Sequence, residues 1–149
     1  MAFDQLVGRT LNDSYTVGRK IGKGGMGAIF TASHARLAGK HYAIKVLAPE
    51  FAENQELLLR FRREAEIASQ LGHEHIVDVH DFNVVEGMAY MVMELLDGED
   101  LGQRIQARGP MPLDVVERIV NQVCSASSCP CRRTSRWSSC GRTPTTWPG

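Results

Sequence analysis

The run Gly22-Lys23-Gly24-Gly25-Met26-Gly27 and its flanks restrict the fold more than any other feature of this chain. Before it, Tyr15 to Ile21 alternates apolar and polar residues; after it, Ala28-Ile29-Phe30-Thr31-Ala32-Ser33 again reads as strand. A dinucleotide-binding turn needs strand, turn and then helix, with the helix N-terminus facing a pyrophosphate. A Walker-type loop needs Gly-Lys-Ser/Thr, whereas Lys23 is followed by Gly24. Strand-loop-strand is what remains. Alone, the glycine triple is a weak signal, equally compatible with a flexible hairpin turn in which glycines supply positive φ.

The rest of the pattern builds on that hairpin. His41 to Leu47, Asp78 to Val84 and Met88 to Glu94 read as further strands, the last two joined at Glu86-Gly87. Leu57, Leu58, Phe61, Ala65, Ala68 and Leu71 recur at helical spacing, which predicts an amphipathic helix from Ala52 to Leu71 ending at Gly72. A second helix is predicted over Leu113 to Cys124, after Pro110-Met111-Pro112. The expected class is α+β: an antiparallel sheet of about five strands with one long helix packed against it, then a hinge and helices.

Charge excludes some partners. Lys plus Arg and Asp plus Glu are 17 each among 149 residues, so nothing draws the chain generally to nucleic acid or anionic membrane. No apolar run approaches the ~20 residues that cross a bilayer, and the first residues lack a signal-peptide pattern. A cytoplasmic location with reduced thiols is expected. Cys129-Pro130-Cys131 is C-x-C, and no histidine follows Cys124, so no metal site is expected.

Lys45 lies in Ala43-Ile44-Lys45, where apolar neighbours on a strand can aim a fixed ammonium at phosphate oxygens. It could equally be a solvated strand lysine. Phe61-Arg62-Arg63-Glu64 places a carboxylate near the apolar stripe of the long helix, able to hold such a lysine. Glu66, two positions on, points elsewhere. The alternative is that both glutamates make surface pairs, Glu64 with Arg60.

In order and spacing, the glycine loop, Ala-Ile-Lys and Phe-x-x-Glu together resemble the eukaryotic-like protein kinase family, its bacterial branch in particular. His73-Glu74-His75-Ile76-Val77 is similar to the family's His-Pro-x-Ile-Val, with Glu74 in place of proline. Tyr90-Met91-Val92-Met93-Glu94-Leu95-Leu96-Asp97-Gly98 resembles the strand and hinge joining the two lobes. The resemblance implies ATP as cofactor, with Gly22, Lys23, Gly24, Gly25, Met26 and Gly27 closing over its phosphates. Lys45 and Glu64 form the supporting ion pair. It further implies Met93 as gatekeeper, adenine hydrogen bonds from the backbone of Glu94 and Leu96, Ile21, Ile29 and Ala43 around the ring, and Asp100 at the ribose. The implied division is an N-terminal extension over 1–14, a small lobe over 15–93, a hinge over 94–99 and the start of a large lobe over 100–124.

The family also uses the aspartate of His-Arg-Asp, a downstream asparagine and the magnesium-holding aspartate of Asp-Phe-Gly. This sequence has no aspartate after Asp114. The expectation is a truncated serine/threonine kinase domain, inactive in phosphoryl transfer as it stands; the alternative is a non-catalytic interaction or regulatory fragment whose protein partner is not specified. From Ser125 to Gly149 the chain has no Leu, Ile, Val, Asp, Glu or Lys, which predicts a disordered tail. Joining each codon's third base to the first two of the next lets Arg132-Arg133-Thr134-Ser135 yield Ala-His-Glu, and Thr143 to Pro148 yield Pro-Asp-Asn-Leu-Ala. Kinases carry similar residues here, so the tail is expected to be an out-of-frame translation; the alternative is a natural truncated product with an unusual tail. Sequencing the gene across codons 120–149 should reveal a kinase continuation in a displaced register. An uninterrupted, repeatable frame with no such continuation in any register rejects the idea.

Overall fold

The computed structural model describes residues 3–127. Its strands are Thr10–Leu11 (β1), Tyr15–Lys23 (β2), Gly27–His34 (β3), His41–Leu47 (β4), Val79–Val85 (β5) and Met88–Glu94 (β6). They form one antiparallel sheet in the order β1-β2-β3-β4-β6-β5. The helices are Pro49–Ala52 (α1), Gln55–Leu71 (α2), Leu101–Arg108 (α3) and Leu113–Ser127 (α4). None of them is long and apolar enough to cross a membrane.

Period-two alternation gives this sheet two distinct faces. On the outer face, Ala28, Phe30 and Ala32 of β3 pack with Ile44 and Val46 of β4 and Tyr90 and Val92 of β6 in one buried cluster. On the inner face, Leu47, Ala89 and Met91 pack with Phe61 and Ala65 of α2. Phe61 meets Phe82 of β5 edge-on, with ring centroids 5.8 Å apart. Each fully buried aliphatic or aromatic side chain contributes about 1.5–3 kcal/mol, so β4 and β6, apolar on both faces, form the centre of the fold. Tyr90 carries a hydroxyl into the outer core, where it finds no hydrogen-bond partner among the described residues. Burial, with the nearby Asp81 carboxylate and Tyr15 adding, pushes its phenol up to about 12.

The sheet has six strands rather than about five. The extra one, β1, arises from the Asn12-Asp13 turn, whose two residues take φ of 47° and 51°. Asn and Asp tolerate that left-handed conformation better than most residues do. Glu86 and Gly87 do the same between β5 and β6, at φ of 52° and 75°. The segment expected as an N-terminal extension is part of the lobe: Leu6 and Leu11 are each 2% exposed within the outer core. Gly8 donates to the carbonyl of Val17, and Val17 donates to that of Arg9.

The helix expected over Ala52 to Leu71 is two helices. Asn54 accepts hydrogen bonds from the N–H groups of Glu56 and Leu57, which starts α2 afresh after α1. Gly72, at φ 47° and ψ 48°, ends it as the left-handed cap expected. The helix predicted to stop at Cys124 continues through Ser127, so Ser125, Ala126 and Ser127 do not belong to a disordered tail. Helical backbone hydrogen bonds need no aliphatic side chain. The remaining tail expectation falls on residues 128–149, outside the described residues.

Leu6→Ala should cost about 2–4 kcal/mol in urea denaturation. Leu59→Ala, at a position 64% exposed, should stay within about 0.5 kcal/mol. A neutral Leu6→Ala would mean that the N-terminal turn is not part of the core.

Candidate functional site

The pairing register brings the candidate residues together. Ile29 of β3 lies opposite Lys45 of β4, which lies opposite Met91 of β6. One step along, Thr31, Ala43 and Met93 form a parallel row. Both rows occupy the inner face, since the neighbouring rows, Ala28-Val46-Tyr90 and Phe30-Ile44-Val92, belong to the outer core.

Lys45 Nζ donates to Glu64 Oε1 at 2.8 Å and sits 5.6 Å from the centroid of the Phe61 ring. Glu64 and Phe61 lie three residues apart on α2 and therefore on one side of it. The surface-pair alternative holds for Glu66, which Arg62 binds at 2.9 Å, and fails for Glu64, because Arg60 binds Glu56 at 2.8 Å instead. The side chains of Lys45 and Glu64 remain 31% and 57% exposed. An ion pair this open contributes at most about 1 kcal/mol to stability; its effect is to hold the ammonium in place. The two remaining Nζ hydrogens can bond an anion while Glu64 holds the first.

Beyond that pair lies the glycine turn. Gly24 donates to the carbonyl of Gly27 at 2.9 Å, and the carbonyl of Met26 accepts from Ala48 at 2.9 Å. None of Gly22, Gly24, Gly25 or Gly27 takes positive φ, so they are not there to supply it, as a plain turn would require. Space is the reason. A Cβ on Gly27 would collide with the carbonyl of Val46, the residue after Lys45, whereas a Cβ on Gly24 or Gly25 would meet nothing within 4 Å. Gly27 therefore lets the turn press against β4, and Gly24 and Gly25 leave bare backbone for something else to approach.

The remaining candidates are more dispersed. Lys23 is exposed and pairs with Ala28, and Met26 is 47% exposed at the turn. Ile21, also exposed, falls in an irregular step of β2 between the pairs Lys20–Phe30 and Gly22–Ile29. Glu94 ends β6, where its N–H donates to the carbonyl of Asp78 and its Oε1 accepts from the N–H of Asp78 at 2.9 Å. Leu96 is exposed beyond it. Asp100 caps α3, its Oδ1 accepting from Gln103 N–H at 2.8 Å. Thr31, Met91 and Phe61 share the site without having been assigned to it. Counting in twos along the strands from Lys45, and back one turn from Glu64, would have found them.

Comparison with known proteins identifies relatives of the chain. A family model described as the protein kinase domain matches residues 15–128. The chain is 36% identical over 125 residues to the serine/threonine-protein kinase PrkC of Bacillus subtilis, a match spanning 81% of this chain and 19% of that protein. It is 39% identical over 126 residues to the serine/threonine-protein kinase pkn3 of Myxococcus xanthus, spanning 84% and 23%. The solved kinase domain of PknI from Mycobacterium tuberculosis superposes with a TM-score of 0.71 at 37% identity, over 85% of this chain and 51% of that one. The chain thus spans about a fifth of these curated relatives and about half of the solved kinase domain.

Gly27→Ala should destabilise the fold by about 1–3 kcal/mol in thermal or urea denaturation, because the backbone carbonyl it meets cannot rotate away. Gly25→Ala should change stability by less than about 1 kcal/mol. Equal costs at the two positions would refute the distinction between packed and open glycines.

Proposed function

This chain belongs to the protein kinase domain family, and on that premise we propose that its small lobe cradles the triphosphate of ATP between the glycine turn and the Lys45–Glu64 pair. It is a partial kinase domain related to bacterial serine/threonine kinases. Lys45 donates to the α- and β-phosphate oxygens, and Glu64 holds its ammonium at that place. The backbone of Gly22, Lys23, Gly24, Gly25, Met26 and Gly27 closes over the phosphates, and the open space at Gly24 and Gly25 fits that use. Ile21, Ile29 and Ala43 bracket the adenine, Met93 limits the depth of the pocket, and the backbone of Glu94 and Leu96 bonds the ring edge. Asp100 offers its second carboxylate oxygen to the ribose. The single observation that carries the reading is the 2.8 Å contact between Lys45 and Glu64, side chains from two elements meeting on the face beside the glycine turn.

We divide the chain, correspondingly, into a small lobe over 15–93 that the preceding N-terminal segment completes with Leu6 and Leu11, a hinge over 94–99 and the first large-lobe helices from 100 onward. The magnesium that the family generally uses would need an aspartate and an asparagine of the catalytic segments, and no aspartate follows Asp114 in these 149 residues. No step is therefore assigned to it. Phosphoryl transfer to a protein hydroxyl, the activity of the intact family, is not expected from these residues alone.

A second reading, a non-catalytic interaction fragment, has one specific observation in its favour. Neither α3 nor α4 has a buried residue, and Leu101, Ile105, Leu113, Val120 and Val123 are 46–82% exposed along them. Apolar surface of that kind invites a protein partner or self-association.

Titration with a fluorescent ATP analogue should show saturable binding that Lys45→Met weakens by about tenfold or more, the equivalent of about 1.4 kcal/mol. Affinity unchanged by that substitution would remove Lys45 from the site.

A further inference from the structure

A cavity of about 350 Å³ opens on the outer side of the sheet, at the end opposite Glu94. Its walls are Phe3 and Leu6 from the N-terminal turn, Val46 and Leu47 from β4, and Val85 and Met88 from the β5–β6 hairpin. The two charged residues that line it are both acids, Glu53 and Glu86. Arg9 already holds Glu86 at 3.0 Å. Glu53, exposed between α1 and α2, makes no ion pair among the described residues.

We propose that this cavity binds a small apolar molecule bearing one cationic group, its body against the aliphatic walls and its ammonium toward Glu53. The volume lies near the lower end of the roughly 300–1,000 Å³ typical of ligand pockets, which suits one ring on a short arm. Charge complementarity selects the class: with Glu86 compensated by Arg9, the Glu53 carboxylate is the uncompensated charge among the lining residues, which repels an anion and attracts an ammonium.

The position of the cavity gives such a ligand influence over the site beside the glycine turn. Val46 and Leu47 directly follow Lys45 on β4. Glu53 belongs to the link that starts α2, the helix carrying Glu64. A molecule seated against both favours the arrangement in which Lys45 and Glu64 meet. This regulatory step rests on the nucleotide reading above; binding in the cavity does not.

Phenethylamine titrated into the 149-residue chain, followed by methyl NMR, tests the proposal. Saturable shifts are expected at Val46, Leu47, Val85 and Met88, with phenylacetate producing none. Glu53→Gln should weaken the amine about three- to fivefold and leave phenethyl alcohol unaffected. Phenylacetate binding as well as the amine, an amine affinity indifferent to Glu53→Gln, or an absence of saturable shifts would overturn the site. Saturating amine should also tighten fluorescent-nucleotide binding about twofold or more. Amine binding that leaves nucleotide affinity unchanged, or persists in a chain that binds no nucleotide, supports the cavity and overturns the regulation.

Discussion

Everything in this lobe depends on the alternation of β4. Ile44 and Val46 must enter the outer core, so Lys45 between them is forced onto the opposite face. A slip of one residue in its pairing would bury an ammonium among Phe30, Tyr90 and Val92 and expose two aliphatic side chains. That penalty is far larger than anything the Lys45–Glu64 contact contributes. The hydrophobic register therefore places the lysine, and the carboxylate only fixes where its end lies.

The same division of labour runs through α2. Phe61 and Ala65 anchor the helix to the sheet, and Glu64, between them, is carried to the edge of the packed stripe. Arg60 and Arg62 are occupied one turn away by Glu56 and Glu66, which leaves Glu64 to Lys45. Local i,i+4 pairs thus sort the charges of the helix. Gly27, pressed against the carbonyl of Val46, ties the glycine turn to the strand that bears the lysine.

What could be read in advance was whatever repeats along the chain. The long strands, the amphipathic stripe of α2, its Gly72 cap and the Glu86-Gly87 turn all carry periodic or turn-specific signals. So do Lys45 and Glu64, through their spacing from apolar neighbours. Thr10–Leu11 is too short to show alternation, and only the Asn12-Asp13 turn hints at it. The break before α2 was hidden because apolar spacing carries on past Asn54, while the interruption is a cap made by one side chain. In α3, Leu101 and Ile105 alone mark the apolar side, too few to define a stripe. Ser125 to Ser127 looked unstructured by composition, yet Ser125 Oγ lies 3.2 Å from His73 Nε2 and Ser127 Oγ donates to the carbonyl of Val123. Glycine roles were legible in position but not in cause, since steric clearance depends on a strand distant in sequence.

The Phe3–Leu6 turn has a practical consequence. The kinase family model begins at Tyr15, yet Leu6 and Leu11 are sealed into the outer cluster ahead of that point. An excision made where that model starts would strip the lid from a hydrophobic interior and leave Phe30 and Val17 facing water. For this molecule the first residue of the family model and the limit of the folding unit are different places, and a fusion partner joined at residue 15 would inherit the exposed grease.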